Sequence, residues 1–191
     1  VDRYKAHMDK VASDGMTFRS PGCEFRLSGF HTSPSAETIG RMDIIILMVK
    51  ATQTDSVMPS VMPAIDDRTV VVSLQNGLGN EETLSKYLPA SRILYGFGTI
   101  GTELPEPGVC VSKPESGVIM REEDIRPYVW KKAISNSGYN TVSAVSKLKV
   151  GPLLADENGR DIVTQVWKEG CEVAKAAGVR DLWPEMDEEL P

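Results

Sequence analysis

Hydrophobic and polar positions follow two different periods along this chain, and the change of period divides it. "DIIILMVK" (43–50) is an unbroken, β-branched-rich apolar run, the pattern of a parallel strand covered on both faces. "RTVVVSLQNG" (68–77) repeats it and stops at a turn-forming Asn-Gly; "SRILYGFG" (91–98) is a third run. Between them lie two stretches of helical length, "TDSVMPSVMPAI" and "NEETLSKYL". Pro59 and Pro63 keep the first short or kinked. Asn80 is placed to cap the second, with Glu81 and Glu82 at the positive end of its dipole. Strand–helix–strand–helix–strand at this pitch predicts right-handed crossovers and a doubly wound, Rossmann-type parallel sheet.

After Gly117 strand-like runs stop and a helical period takes over. The expected organisation is an α/β domain over 1–117 followed by an all-helical domain over 118–191. Asp124 can cap the first of these helices, with Pro127 in its first turn and Gly151-Pro152 as its stop beyond Lys147 and Lys149. A second helix is expected over 161–177. Its apolar stripe runs from Ile162, Val163, Val166 and Trp167 to Val173, Ala174 and Ala177, and Gly178 ends it. The acidic "DLWPEMDEELP" reads as a loop or tail.

Composition narrows the function classes. A net charge of −6 and a pI near 5.0 give no general attraction to nucleic acid or anionic membranes. The longest apolar run, Ile44–Val49, is too short to span a bilayer, and no leader pattern opens the chain. Cys23, Cys110 and Cys171 are far apart, which favours reduced thiols in a cytoplasm. His7 and His31 have no neighbouring ligand type, so no metal site is expected.

One glycine motif is a decoy. Gly96, Gly98 and Gly101 in "GFGTIG" match G-x-G-x-x-G after a strand, but Pro105 and Pro107 preclude the helix whose N-terminus would hold a pyrophosphate. A tight strand-end turn fits better. "VDR" at the start has the look of a strand end, where Asp2 would contact a ribose and Arg3 a 2′-phosphate.

The most unusual stretch is "VWKKAISNSGYN" (129–140). Lys132, Asn136 and Asn140 recur every four residues, which stacks an ammonium and two amides on one helical face. Asparagine is a poor former of helix interiors, so two at this spacing call for a reason. Taken in order, "VKATQ" (49–53), "QNGLGNEE" (75–82) and "VWKKAISNSGYN" resemble the ketopantoate reductase (2-dehydropantoate 2-reductase) family, whose pattern is Lys-Ala-x-Gln, Asn-Gly-x-Gly and Trp-x-Lys-x-x-x-Asn-x-x-x-Asn. The resemblance implies an NADPH-dependent reductase of pantothenate synthesis, with the site in a cleft between a dinucleotide-binding and a helical domain. Lys132 would be the catalytic lysine. Asn136 and Asn140, with Asn76, would bind the 2-oxo acid. Lys50 and Asn76 would contact the cofactor near its nicotinamide ribose, with Thr102 beside them in the turn after Gly101, and Arg3 would favour NADPH. The family fold occurs as monomer or dimer, which leaves a homodimer open.

Physical chemistry agrees with these roles. Ligands of open parallel sheets gather beyond the carboxyl ends of the strands, where Lys50 and Asn76 fall. An ammonium aimed at a carbonyl oxygen can stabilise its developing charge and deliver a proton. Four departures accompany the resemblance. The family's glycine-rich phosphate loop has no counterpart, the join between "SGVIM" and "REEDIRPYVW" is abrupt, Val150 replaces a polar substrate contact, and C-terminal helices are missing. The simplest expectation is an incomplete sequence. A paralogous reductase of another 2-oxo acid and a non-catalytic remnant or interaction module stay open as alternatives.

Overall fold

A computed structural model describes residues 1–99, 101–112, 117–120 and 125–179. The chain divides into two compact units. One comprises residues 1–75 and 79–120; the other comprises 76–78 and 121–191.

The first unit is built on two four-stranded sheets. In the parallel one, β3 (Ile44–Leu47), β4 (Val70–Ser73) and β5 (Ile93–Gly98) lie side by side, and β8 (Val118–Met120) adds antiparallel to β5. Helices α2 (Thr54–Val61) and α3 (Asn80–Leu84) make the crossovers. Leu47, Val71 and Ile93 share a face because strand side chains alternate, and they pack with Met58, Val61, Leu84 and Leu88 into one core. The expected sheet is therefore present, with differences that have local causes. "DIIILMVK" is not covered on both faces: Ile44 and Ile46 are 63% and 57% exposed. The helices cover only one side of β3, which is an edge strand. The N-cap of α3 is Gly79, at φ 82°, and Asn80 is its first helical residue. Strands also continue past Gly117, since β8 follows it.

The second sheet, in the order β2-β1-β7-β6, was not anticipated. It contains the hairpin β1 (Met16–Ser20) and β2 (Cys23–Leu27), with β6 (Thr102–Glu106) and β7 (Val109–Ser112). Pro105 is tolerated because β6 is an edge strand with a bulge, where a missing N–H breaks no ladder. The element after "GFGTIG" is thus a strand, and no helix follows that motif. Helix α1 (Lys5–Asp14) precedes the hairpin and is tied to the β6–β7 turn by Gly108 N–H donating to His7 Nδ1 (3.1 Å). Val1–Arg3 form no strand: Asp2 Oδ1 accepts from Tyr4 N–H (2.9 Å), a local turn that leads into α1.

The second unit holds α4 (Arg126–Ser146), α5 (Val150–Ala155) and α6 (Glu157–Ala176). Pro127 lies in the first turn of α4 as expected, and Asp124 lies outside the described residues. Gly151-Pro152 does not stop α4. That helix ends earlier, at Ser146, and Pro152 sits in the opening of α5, where its missing N–H costs little. Asp156 caps α6 by accepting from Gly159 N–H (2.8 Å), and Gly178 at φ 79° follows its end. The acidic tail from 180 on lies outside the described residues. Among the described residues no helix is long and apolar enough to cross a membrane.

Candidate active site

The carboxyl ends of β3 and β4 are joined by one buried amide. Gln75 donates from Nε2 to the Val49 carbonyl (2.9 Å) and to Thr54 Oγ1 (2.8 Å), and its Oε1 accepts from Ser73 Oγ (3.1 Å). Gln75 is 5% exposed, and Thr54 and Ser73 are each 1% exposed, so these bonds are made away from water. A buried amide with both its donor hydrogens and its oxygen engaged holds its neighbours in one geometry. Val49 precedes Lys50 and Gln75 itself precedes Asn76, and both Lys50 and Asn76 are exposed. Lys50 caps a 3-10 turn (Ala51–Gln53) through its carbonyl, which accepts from Gln53 N–H (2.8 Å). Gly77 at φ 100° carries the chain away from Asn76, and a Cβ there would meet nothing within 4 Å. Backbone beside Asn76 therefore borders open space.

Helix α4 has two faces with different duties. At 100° per residue, Trp130, Ile134, Gly138 and Val142 lie at about 160–280° from Lys132, whereas Lys132, Asn136 and Asn140 span about 0–80°. The first face packs on α6. Ile134 and Trp167 are buried together, and a Cβ on Gly138 would overlap the Trp167 indole. Tyr139, at about 340° and so beside Lys132, reaches the edge of this contact and meets Trp167 edge-on at 5.0 Å. The middle of the polar row, at about 40°, lies opposite the middle of the seam face, at about 220°. Lys132 and Asn136 are half-buried and Asn140 is exposed. Burial pushes the pKa of the Lys132 ammonium below the ordinary lysine value, because leaving water disfavours the charged form.

The seven expected site residues fall in four places. Asn76 belongs to the same compact unit as Lys132, Asn136 and Asn140. Lys50 lies at the strand ends of the first unit. Thr102 is not in a turn but opens β6 on the outer edge of the second sheet, paired with Ser112. Arg3 is exposed on the segment before α1. The sequence reading missed Gln75, Thr54 and Ser73. Their only signal is a run of polar residues at strand ends, in "SLQNG" and "TQT", which resembles any turn.

An open parallel sheet with its donors at the strand ends, followed by a helical unit bearing a lysine–amide row, defines a Rossmann-type α/β protein with a helical C-terminal part. The family described as ketopantoate reductase PanE/ApbA matches residues 1–120, and its C-terminal counterpart matches residues 124–190. The chain belongs to the ketopantoate reductase PanE/ApbA family. It is similar to the 2-dehydropantoate 2-reductase of Streptococcus pyogenes serotype M3, with 28% identity over 94% of the chain. It spans only 66% of that relative's length. The crystal structure of 2-dehydropantoate 2-reductase from Geobacter metallireducens superposes with a TM-score of 0.85 at 23% identity, covering 98% of this chain and 70% of that one. A D-mandelate dehydrogenase bound to NADH and anilino(oxo)acetate gives a TM-score of 0.83 at 18% identity, covering 93% and 66%. At these identities the two structures bear on fold alone.

Proposed function

We propose that the intact protein reduces a 2-oxo acid to the 2-hydroxy acid with NADPH, that 2-dehydropantoate is the substrate to test first, and that the reaction serves pantothenate synthesis. The observation that carries the reading is the row Lys132–Asn136–Asn140, turned away from the α6 seam with its ammonium partly desolvated. Residues 1–117 act as the cofactor domain and 118–191 as the substrate domain.

The residues present fit the nicotinamide end of such a cofactor. Lys50 and Asn76 are exposed polar side chains at strand ends, the backbone after Asn76 borders open space, and the Gln75 amide fixes both loops. Arg3, Thr102, Lys50 and Asn76 are the residues that would hold it, Arg3 at a 2′-phosphate. When bound, the dihydronicotinamide supplies the hydride that turns the carbonyl carbon into a carbinol. Lys132 holds the carbonyl oxygen by an N–H bond from Nζ and passes it the proton that balances the reduction. Its lowered pKa eases that transfer, since a more acidic ammonium is the stronger proton donor. Asn136 and Asn140 donate from their amides to the substrate carboxylate and hydroxyl, and, being neutral, do not compete for the proton.

The test is NADPH oxidation by the full-length protein with 2-dehydropantoate. Lys132→Ala should lower kcat by about 10²–10³, the usual cost of removing such a donor, while NADPH binding persists. Near-normal turnover by this variant would overturn the assignment. A reductase of another 2-oxo acid is the second reading, favoured by Val150 at the position where the family carries a polar substrate contact.

A further inference from the structure

The second sheet of the first unit ends in two edges of different character. At one edge, β6 has the features that keep an edge strand from pairing: Pro105, a bulge, and the two carboxylates of Glu103 and Glu106 with no cation between them. At the other edge, β2 has none of these. It is a regular strand of five residues, paired without a shift to β1 and exposed along its whole length.

The hairpin turn decides which groups this edge presents. Pro21 and Gly22 form a hydrogen-bonded turn, so Ser20 and Cys23 are a hydrogen-bonded pair, and such pairs recur at every second position. Phe18–Phe25 and Met16–Leu27 are therefore the other hydrogen-bonded pairs of the ladder. The backbone N–H and C=O groups of Glu24 and Arg26 point the opposite way, out of the sheet edge. Side chains divide by face. Cys23, Phe25 and Leu27 stand on one side, where Phe25 and Leu27 are each 43% exposed and the Phe25 ring lies 5.0 Å from that of Phe18. Glu24 and Arg26 stand on the other. Glu24 accepts from Arg19 Nε (2.9 Å), whereas Arg26 forms no ion pair among the described residues.

We propose that β2 is a self-association edge, at which a second copy of this chain pairs antiparallel and continues the sheet across a two-fold axis at Phe25. The exposed backbone and the charges fix the register. Centred on Phe25, the pairing sets Glu24 opposite Arg26 of the second copy and Arg26 opposite its Glu24, so outward groups meet outward groups. Opposite charges then face each other twice, as a two-fold contact requires. Centring on Glu24 or on Arg26 would set like charges opposite one another, and centring between residues would oppose outward groups with inward ones. Glu24 can serve its own Arg19 and the incoming Arg26 together, because an ionised carboxylate accepts at both oxygens. On the apolar face Phe25 meets its own copy, with Phe18 beside each, and Leu27 meets Cys23. The stretch "CEFRL" is thus complementary to itself read backwards: apolar, acid, aromatic, base, apolar.

Two measurements on the full-length protein test the seam. It is only about 17 Å long, less than a stable interface needs, so sedimentation should extend to about 0.5 mM protein. Wild type should form a dimer there. Arg26→Glu and Glu24→Arg each set like charges against each other in a homodimer and should weaken it by about tenfold or more. A mixture of the two variants regains opposite charges at both pairs and should associate about tenfold more tightly than either alone. A monomeric wild type overturns the proposal, and so does a dimer that neither substitution weakens, since it uses another surface. The second measurement reads the register by cross-linking in a Cys23→Ser background. Phe25→Cys brings two thiols together across the axis, with Cα atoms about 4.5 Å apart, and should give a disulfide dimer under mild oxidation. Leu27→Cys leaves them four residues out of register, about 13 Å, and should not. Cross-linking at position 27 in preference to 25, or at neither, overturns the seam.

Discussion

Replacing Gln75 by Leu keeps the volume of the side chain and deletes the clamp at the strand ends. Three partners are then stranded: the Val49 carbonyl, Thr54 Oγ1 and Ser73 Oγ, which now lie at 2.8–3.1 Å from the amide. Each buried group left without a partner costs about 1–3 kcal/mol. The two hydroxyls can rotate to other acceptors, so the sum does not reach three full penalties. The Val49 carbonyl cannot rotate, and it sets the lower bound. A loss of about 2–4 kcal/mol follows. With a urea m-value of about 2–3 kcal/mol/M, that moves the unfolding midpoint down by roughly 1 M. Thr54→Val removes one partner and should cost less on its own. In Gln75→Leu/Thr54→Val the two losses should overlap, with a coupling of about 1 kcal/mol or more, as neighbours in one network show. A Gln75→Leu midpoint within 0.2 M of wild type, an interval that corresponds to about 0.5 kcal/mol, would refute the clamp. Strict additivity with Thr54→Val would refute the network.

Three further outcomes follow from the same geometry. Lys132 must be protonated to act as an acid, so kcat/KM should be high below its pKa and fall as pH rises through it, at a pH below the ordinary 10.5 of lysine. A profile flat up to 10.5 would contradict this, and Lys132→Arg should remove the limb, because arginine does not titrate there. Gly138→Ala places a methyl group inside the Trp167 indole and should cost about 1–3 kcal/mol in chemical unfolding; no loss would mean that α4 and α6 do not cross where the glycine allows. On β3, Ile46→Thr should change stability by no more than about 0.5 kcal/mol, whereas Leu47→Ala should cost about 2–5 kcal/mol; equal losses would place the helices on the wrong side of the sheet.

What could be read from the sequence depended on whether burial left a period in it. The core strands were legible because Val71, Leu47 and Ile93 sit inside long β-branched runs. The same runs misled about the second face, since Ile44 and Ile46 are apolar without being covered, and hydrophobicity alone does not report what lies opposite. The hairpin β1–β2 was legible in principle, since β2 alternates apolar and polar residues in "CEFRL", but the run is only five residues long and every one of them is exposed, so no buried face reinforces the signal. Gly151-Pro152 reads as a helix stop by composition, but a proline in the opening turn of the next helix has the same composition. What separates the two is that α5 begins at Val150, two residues before the proline.

The polar row on α4 was legible for a reason that bears on its role. A helix interior selects against asparagine, and packing on α6 did not demand it, because the seam is made by Trp130, Ile134, Gly138 and Val142 on the other side. Stability therefore accounts for one face of α4 and leaves the other unexplained. Asn136→Leu and Asn140→Leu should accordingly raise or preserve stability, by helix propensity, while kcat/KM falls by about tenfold or more each as a substrate hydrogen bond is lost. If either variant instead lost stability and activity together, the row would belong to the architecture of the second unit, and Lys132 would lose its claim to a site.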